Sequence, residues 1–297
     1  MRLLLLGGTG QVGEELRRLD LHGDIELVAP QRATLDLEDE DALAEIVAAK
    51  PWNAVINAAA YTDVDRAESE EAIAFAVNAA APLRLAVETR RRGIPIIHIS
   101  TDYVFDGRKG APYNEGDKAA PINAYGRSKL AGERAVRDAN PRHVILRTAW
   151  MHSPFRKNFV KTILRLAAER NRLTIVKDQR GCPTAARDVA GACLDIAIRC
   201  ATEPERAPYG LYHFAGTGQA SRFEFACAIV DLMADRLVRA PQVRPVKTGE
   251  YPTTAVRPMD TRLDCTAISR AFGIRSPPWR HALEGTIDRL LGEETIA

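Results

Sequence analysis

Tyr125 and Lys129 stand four residues apart in Tyr125-Gly126-Arg127-Ser128-Lys129, a phenol and an amine at helical spacing. Side chains at i and i+4 share a helix face, so the two can meet one reacting group. A free tyrosine ionises near pH ~10 and works poorly as an acid or base at neutrality, but a neighbouring ammonium favours its phenolate. The spacing alone is weak and gains weight from two other runs. Gly7-Gly8-Thr9-Gly10-Gln11-Val12-Gly13 sets glycines at 7, 10 and 13. That pattern permits a tight turn, a close backbone approach to a pyrophosphate and a helix seated close on a sheet. Ser100-Thr101-Asp102-Tyr103-Val104-Phe105 ends an apolar run in hydroxyls, with Thr101 the natural partner of a substrate oxygen.

Such residues need a frame that brings them together, and the hydropathy pattern supplies one. Strands are predicted at 3–6, 25–29, 54–57, 95–100 and 143–147. Helices alternate with them at 11–19, 41–49, about 70–92 and 123–138. This βαβ rhythm predicts an α/β fold, a doubly wound Rossmann-type parallel sheet over residues 1–150. Beyond Trp150 the pattern loosens, with helices near 158–170 and 189–199, strands near 174–176 and 211–214, and frequent prolines. Residues 151–297 therefore read as a smaller, less regular α/β substrate lobe folded over the carboxyl ends of the strands, part of it returning to the first domain. No internal repeat or low-complexity segment interrupts the chain.

Composition excludes several alternatives. Lys+Arg 41 against Asp+Glu 39 leaves a net charge of +2, so there is no electrostatic footprint for nucleic acid or an acidic membrane. The opening leucines are too short a run for a signal peptide, and no later segment reads as a membrane span. The 5 cysteines form no CxxC pair and are odd in number, against both a disulfide framework and a zinc cluster. A cytoplasmic protein is expected, with its scattered histidines at the surface or in the core rather than on a metal.

The cofactor side has further candidates. The second strand ends in Val28-Ala29-Pro30-Gln31-Arg32, without the acidic residue that often holds an adenosine ribose. Arg32 would suit a 2′-phosphate, which favours NADPH over NADH. Asp36, followed by Leu37, arrives later and would face the adenine edge or cap the next helix. Asn57-Ala58-Ala59-Ala60-Tyr61 ends the third strand with small residues, as needed where backbone passes a flat cofactor ring.

In this order, these motifs resemble the extended short-chain dehydrogenase/reductase family over nearly the whole chain. Five runs narrow the resemblance: Thr101 to Gly107, the Tyr125 to Glu133 motif, Arg147-Thr148-Ala149-Trp150, Asp178-Gln179-x-Gly181-x-Pro183-Thr184 and Arg257-Pro258. They are similar to the branch that reduces dTDP-4-dehydrorhamnose to dTDP-L-rhamnose. The resemblance implies hydride transfer from NAD(P)H to C4 and a proton from Tyr125 to the C4 oxygen. Lys129 would lower the tyrosine pKa and bind the nicotinamide ribose, and Thr101 would polarise the carbonyl. Gly7, Gly10, Gln11, Val12, Gly13, Arg32, Asp36, Leu37, Ala58, Ala59, Ala60 and Tyr61 would complete the cofactor site. Asp102, Val104 and Trp150 would lie on the sugar-nucleotide side, with Arg257 gripping its diphosphate. Some members hold magnesium at a dimer contact. Glu15 matches one such position, but Arg187 stands where another carboxylate would align, so no metal site is expected in a monomer or homodimer. Two other readings share these motifs: a nucleotide-sugar epimerase or dehydratase that retains its cofactor, and a non-catalytic nucleotide-binding regulatory subunit.

Overall fold

The computed structural model describes all residues except His22, Leu237, Val238 and 295–297. The first part runs β1 (Arg2–Leu6), α1 (Gln11–Leu16), β2 (Glu26–Val28), α2 (Glu40–Ala48), β3 (Ala54–Asn57), α3 (Glu71–Phe75), α4 (Ala81–Arg91), β4 (Ile96–Thr101), α5 (Ala124–Ala139) and β5 (His143–Thr148). The second runs β6 (Met151–His152), α6 (Phe159–Glu169), β7 (Arg172–Val176), β8 (Arg180–Gly181), β9 (Thr184–Ala185), α7 (Ala186–Thr202), β10 (Gly210–His213), β11 (Ala220–Ser221), α8 (Arg222–Leu232), β12 (Gln242–Val246), α9 (Thr266–Phe272) and α10 (Trp279–Glu294).

The main sheet has the order β10-β5-β4-β3-β1-β2, with every pairing parallel. Its inner strands β1, β3, β4 and β5 are largely buried on both faces, as a sheet covered by helices requires; Leu3, Leu4, Leu5 and Leu6 of β1 are all in the core. The predicted doubly wound α/β fold is the one observed. β1 has β2 on one side and β3 on the other, so the strand order reverses there and opens a crevice above their carboxyl ends. After β9 the chain comes back to this layer. α7 packs on α1, burying Ala190, Cys193 and Ala197 with Leu3 and Leu5, and β10 extends the sheet beside β5.

Several elements differ from their sequence pattern. α1 ends at Leu16 rather than 19. The helix expected at 70–92 is broken by a π-helical turn, Ala76–Ala80, between α3 and α4. Such turns mark places where one residue must face inward. Here it is Asn78, which is buried, accepts the Tyr61 amide at 2.9 Å and donates to Ser128 Oγ at 2.9 Å. Counted through that turn, Glu71–Arg91 is long and apolar enough to cross a membrane, contrary to the sequence reading. Its apolar face is taken up within the fold, where Ala81, Leu85 and Ala86 are core residues and the helix packs along α5.

α8, β12, α9 and α10 left no clear pattern. α8 buries Phe225, Ala226, Ala228, Ile229 and Val230, too much of its circumference for an amphipathic stripe. β12 contains Pro245, tolerated because β12 belongs to a two-stranded sheet with β7 and offers an edge.

Candidate active site

The glycine turn closes onto the end of β3. A Cβ on Gly7, whose φ is +81°, would lie 2.5 Å from the Ala59 amide nitrogen, and one on Gly13 would lie 2.2 Å from the Gly7 carbonyl oxygen. The turn, α1 and the Ala58-Ala59 backbone thus touch without side chains between them. Gly10 begins α1 with no side-chain cap, leaving its first amides for an anion. A dinucleotide fits these residues. Val12 is a core residue beneath the turn. Asn57 fixes the end of β3, taking the Ala59 amide at 3.2 Å and meeting His98 Nδ1 at 3.1 Å. Burial, helped by the Lys129 charge, pushes His98 well below the usual imidazole range, so this contact is neutral. Gly13→Ala is expected to cost about 1–3 kcal/mol through overpacking. Thermal-shift titration with NADPH checks it, and the shift that the cofactor gives the native protein should be lost.

The other cofactor-side candidates are placed unequally. Arg32 is exposed on the loop after β2 and has no hydrogen-bond or ion-pair partner among the described residues. Asp36 accepts the Glu38 amide at 3.1 Å, while the cap of α2 is Asp39. Leu37 packs partly against the core below α2. Tyr61 turns its hydroxyl to Glu70, and Ala60 is half-buried beside it. Gln11 holds the next segment of chain. Its amide oxygen accepts Ser153 Oγ at 2.9 Å and Asn158 Nδ2 at 3.1 Å, tying the glycine turn to the start of α6.

The proton-handling residues converge at the carboxyl end of β4. Asn123 caps α5, accepting the Gly126 amide at 2.8 Å, and so sets the phase of the face that carries Tyr125, Lys129 and Glu133. Thr101 Oγ1 lies beside the Tyr125 phenol, accepts the Tyr103 amide at 3.2 Å and donates to Asp102 Oδ1 at 3.1 Å. Lys129 is buried and its Nζ donates to the Ile99 carbonyl oxygen at 2.7 Å. One turn on, Glu133 takes a two-pronged bond from Arg147 of β5, at 2.8 and 2.6 Å, and another from Ser100 Oγ.

The electrostatics differ from the expected depression of the tyrosine. Burial pushes the Tyr125 phenol above the ordinary tyrosine value, the neighbouring Thr101 hydroxyl opposes it, and Lys129, turned toward Ile99, does not draw it down. Lys129 itself is pushed down to about 8 by burial, against the pull of Glu133. Asp102 is raised to about 6, again by burial, opposed by hydrogen bonds from Thr261 and Thr101. A phenol that stays protonated beside a hydroxyl can donate to an oxygen placed between them.

The remaining predicted residues, beyond β4, separate. Trp150 is largely buried, with its backbone at φ +41°. Val104, expected in the cleft, has its side chain wholly within the hydrophobic core with Leu130, because it follows Tyr103 on a short 3₁₀ turn that aims it inward. Arg257 is clamped by Asp65, with contacts of 2.6 and 2.7 Å, and donates to the Ala255 carbonyl oxygen. Sequence reasoning missed Arg222, whose guanidinium lies 3.6 Å from the centre of the Trp150 ring. Ser221 and Glu224 form a capping box at the start of α8, the spacing that would have located this residue at a helix start. Glu15 is paired with Arg289 at 2.8 and 2.9 Å, and no group of three potential metal ligands occurs among the described residues. Arg187 is exposed at the start of α7.

With this geometry in hand, the chain compares closely with known proteins. The family described as RmlD substrate binding domain matches residues 1–291. A dTDP-4-dehydrorhamnose reductase of Sinorhizobium fredii is 41% identical over 293 residues, 99% of each chain. A crystal structure of a dTDP-4-dehydrorhamnose reductase from Clostridium acetobutylicum superimposes with a TM-score of 0.90 at 34% identity, covering 98% of this chain and 100% of the other. One from Bacillus anthracis in complex with NADP gives 0.89 at 32% identity, covering 97% and 99%. Matched in sequence and in fold along almost its whole length, the chain belongs to the dTDP-4-dehydrorhamnose reductase family.

Proposed function

We propose that this chain is an NAD(P)H-dependent oxidoreductase that reduces the C4 ketone of dTDP-4-dehydrorhamnose to give dTDP-L-rhamnose. The observation that carries the proposal is the placement of a buried Tyr125 phenol beside Thr101 at the carboxyl end of the strand next to the glycine-turn crevice. When bound, the reduced nicotinamide supplies the hydride. Tyr125 donates its proton to the C4 oxygen, and Thr101 hydrogen-bonds the same oxygen and polarises the carbonyl. Lys129 would bind the nicotinamide ribose. Gly7, Gly10, Gly13 and the Ala58–Ala60 backbone would hold the dinucleotide, and Trp150 and Asp102 would line the sugar side. We read the main sheet with its helices as the cofactor-binding part and the remainder as the substrate lobe. The five free thiols suit a reducing cytoplasm.

The reading is tested by offering the purified protein the dTDP-4-keto sugar with NADH and NADPH in parallel. Stoichiometric loss of reduced nicotinamide supports it, whereas conversion without net consumption points to an epimerase or dehydratase. No turnover without a second protein points to a regulatory subunit. The unpaired Arg32 gives a further expected result. Arg32→Ala should weaken NADPH binding by about 10- to 100-fold, the usual worth of hydrogen bonds to a charged group, and leave NADH unchanged. Isothermal titration with both cofactors measures it.

A further inference from the structure

Trp150, Gly181 and Arg222 form a stack that the proposed proton transfer does not use. The left-handed backbone of Trp150, at φ +41°, is costly for a residue with a β-carbon, and such strain gathers where a side chain must be aimed. The indole packs so tightly on β8 that a Cβ on Gly181 would lie 2.4 Å from Cε2 and 2.6 Å from Nε1. Arg222 covers the ring, its Cζ 3.6 Å from the ring centre and 5.1 Å from that of Phe159. Its guanidinium reaches the Tyr103 hydroxyl, which Arg257 reaches as well.

The charges at this point do not balance. Arg257 is answered by Asp65 in a two-pronged pair. Arg222 has no ion-pair partner among the described residues; Asp102 acts on it only through space and gives its own oxygens to Thr101 and Thr261. Arg222 is half-buried, and a cation partly withdrawn from water without a counter-ion is costly, a cost that an anionic ligand would lower. A guanidinium stacked on an indole keeps its edge N–H groups free, in the fork that matches phosphate oxygens.

We infer that Arg222, held flat by the Trp150–Gly181 stack, is the residue that meets the diphosphate of the nucleotide-sugar substrate. The position expected for Arg257 then becomes a strut to Asp65 that borders the same subsite. The assignment rests on the nucleotide-sugar reading proposed above.

The test uses the NADPH-loaded protein and compares inhibition by thymidine diphosphate and by thymidine. Arg222→Met keeps the stem that covers Trp150 but removes the charge, and Arg222→Lys keeps the charge but removes the fork. The Met variant should lose about 10- to 100-fold in affinity for the diphosphate and little for thymidine, with the Lys variant between. Unchanged NADPH binding reports that both variants fold. Equal affinity of the Met variant and the native protein for the diphosphate would overturn the assignment. So would an equal loss for both ligands, which would make Arg222 only a support for Trp150. If the native protein itself ignores thymidine diphosphate, the nucleotide-sugar reading falls and this assignment with it.

Discussion

Tyr125→Phe should lower kcat for the 4-keto sugar nucleotide by about 10²- to 10⁴-fold, the usual contribution of a positioned proton donor. The ring itself is held by an edge contact with Tyr103, centroids 5.9 Å apart, which phenylalanine preserves. Thr101 keeps its contacts with Asp102 and the Tyr103 amide, so no buried group loses its only partner. Stability should therefore stay within about 1 kcal/mol of native, since at most one neutral hydrogen bond is removed. Cofactor titration and denaturant unfolding on the same preparation separate lost chemistry from lost fold. The direction of the tyrosine shift gives the pH dependence its sign. A phenol raised by burial is protonated throughout the working range, so its own titration does not limit the reduction. Lys129 does limit it. With its value lowered to about 8, it loses its charge as pH rises through that point, and the nicotinamide ribose loses its charged donor. The kcat profile should fall on the alkaline side near that value, and a flat profile past the ordinary lysine range would contradict the assignment.

Arg147→Met should destabilise the chain by about 3–5 kcal/mol, because it leaves the Glu133 carboxylate buried without its counter-charge. Both side chains are about 5% exposed or less, so little water can take the place of the guanidinium. Thermal unfolding should move down by on the order of ten degrees for a chain of this size. Replacing both partners, Arg147→Met with Glu133→Leu, should recover most of the loss, since a well-packed apolar pair can replace a buried ion pair at little cost. If the double variant is no more stable than the single one, the pair is valued for more than its charges. Ser100, which also bonds Glu133 and lies next to Thr101, is the group through which that extra value would reach the site.

The legible part of the site was the part set by backbone necessity. Gly7 and Gly13 sit where any β-carbon would collide, and Tyr125 with Lys129 share a face fixed by helical period, so type and spacing suffice to find them. The parallel sheet was legible because buried strands must be apolar along their whole length. What stayed hidden depends on distant partners. Arg257 looks like a free cation until Asp65, 192 residues away in sequence, is brought beside it. Gln11 looks like part of a phosphate turn until Ser153 and Asn158 take its amide oxygen. Val104 follows a motif of site residues, and only the 3₁₀ turn after β4 shows that it points into the core. Arg222 carries no signal of its own, since an arginine after a serine at a helix start is ordinary until Trp150 lies under it.

The most direct measurement follows the hydride itself. The protein is supplied with nicotinamide cofactor deuterated at the transferring carbon and with dTDP-4-dehydrorhamnose, and the product is examined by NMR. The account predicts one deuterium per product, bonded at C4, with an equal amount of cofactor oxidised and no such product from Tyr125→Phe on the same timescale. Product without deuterium at C4, or label returned to the cofactor, would contradict it.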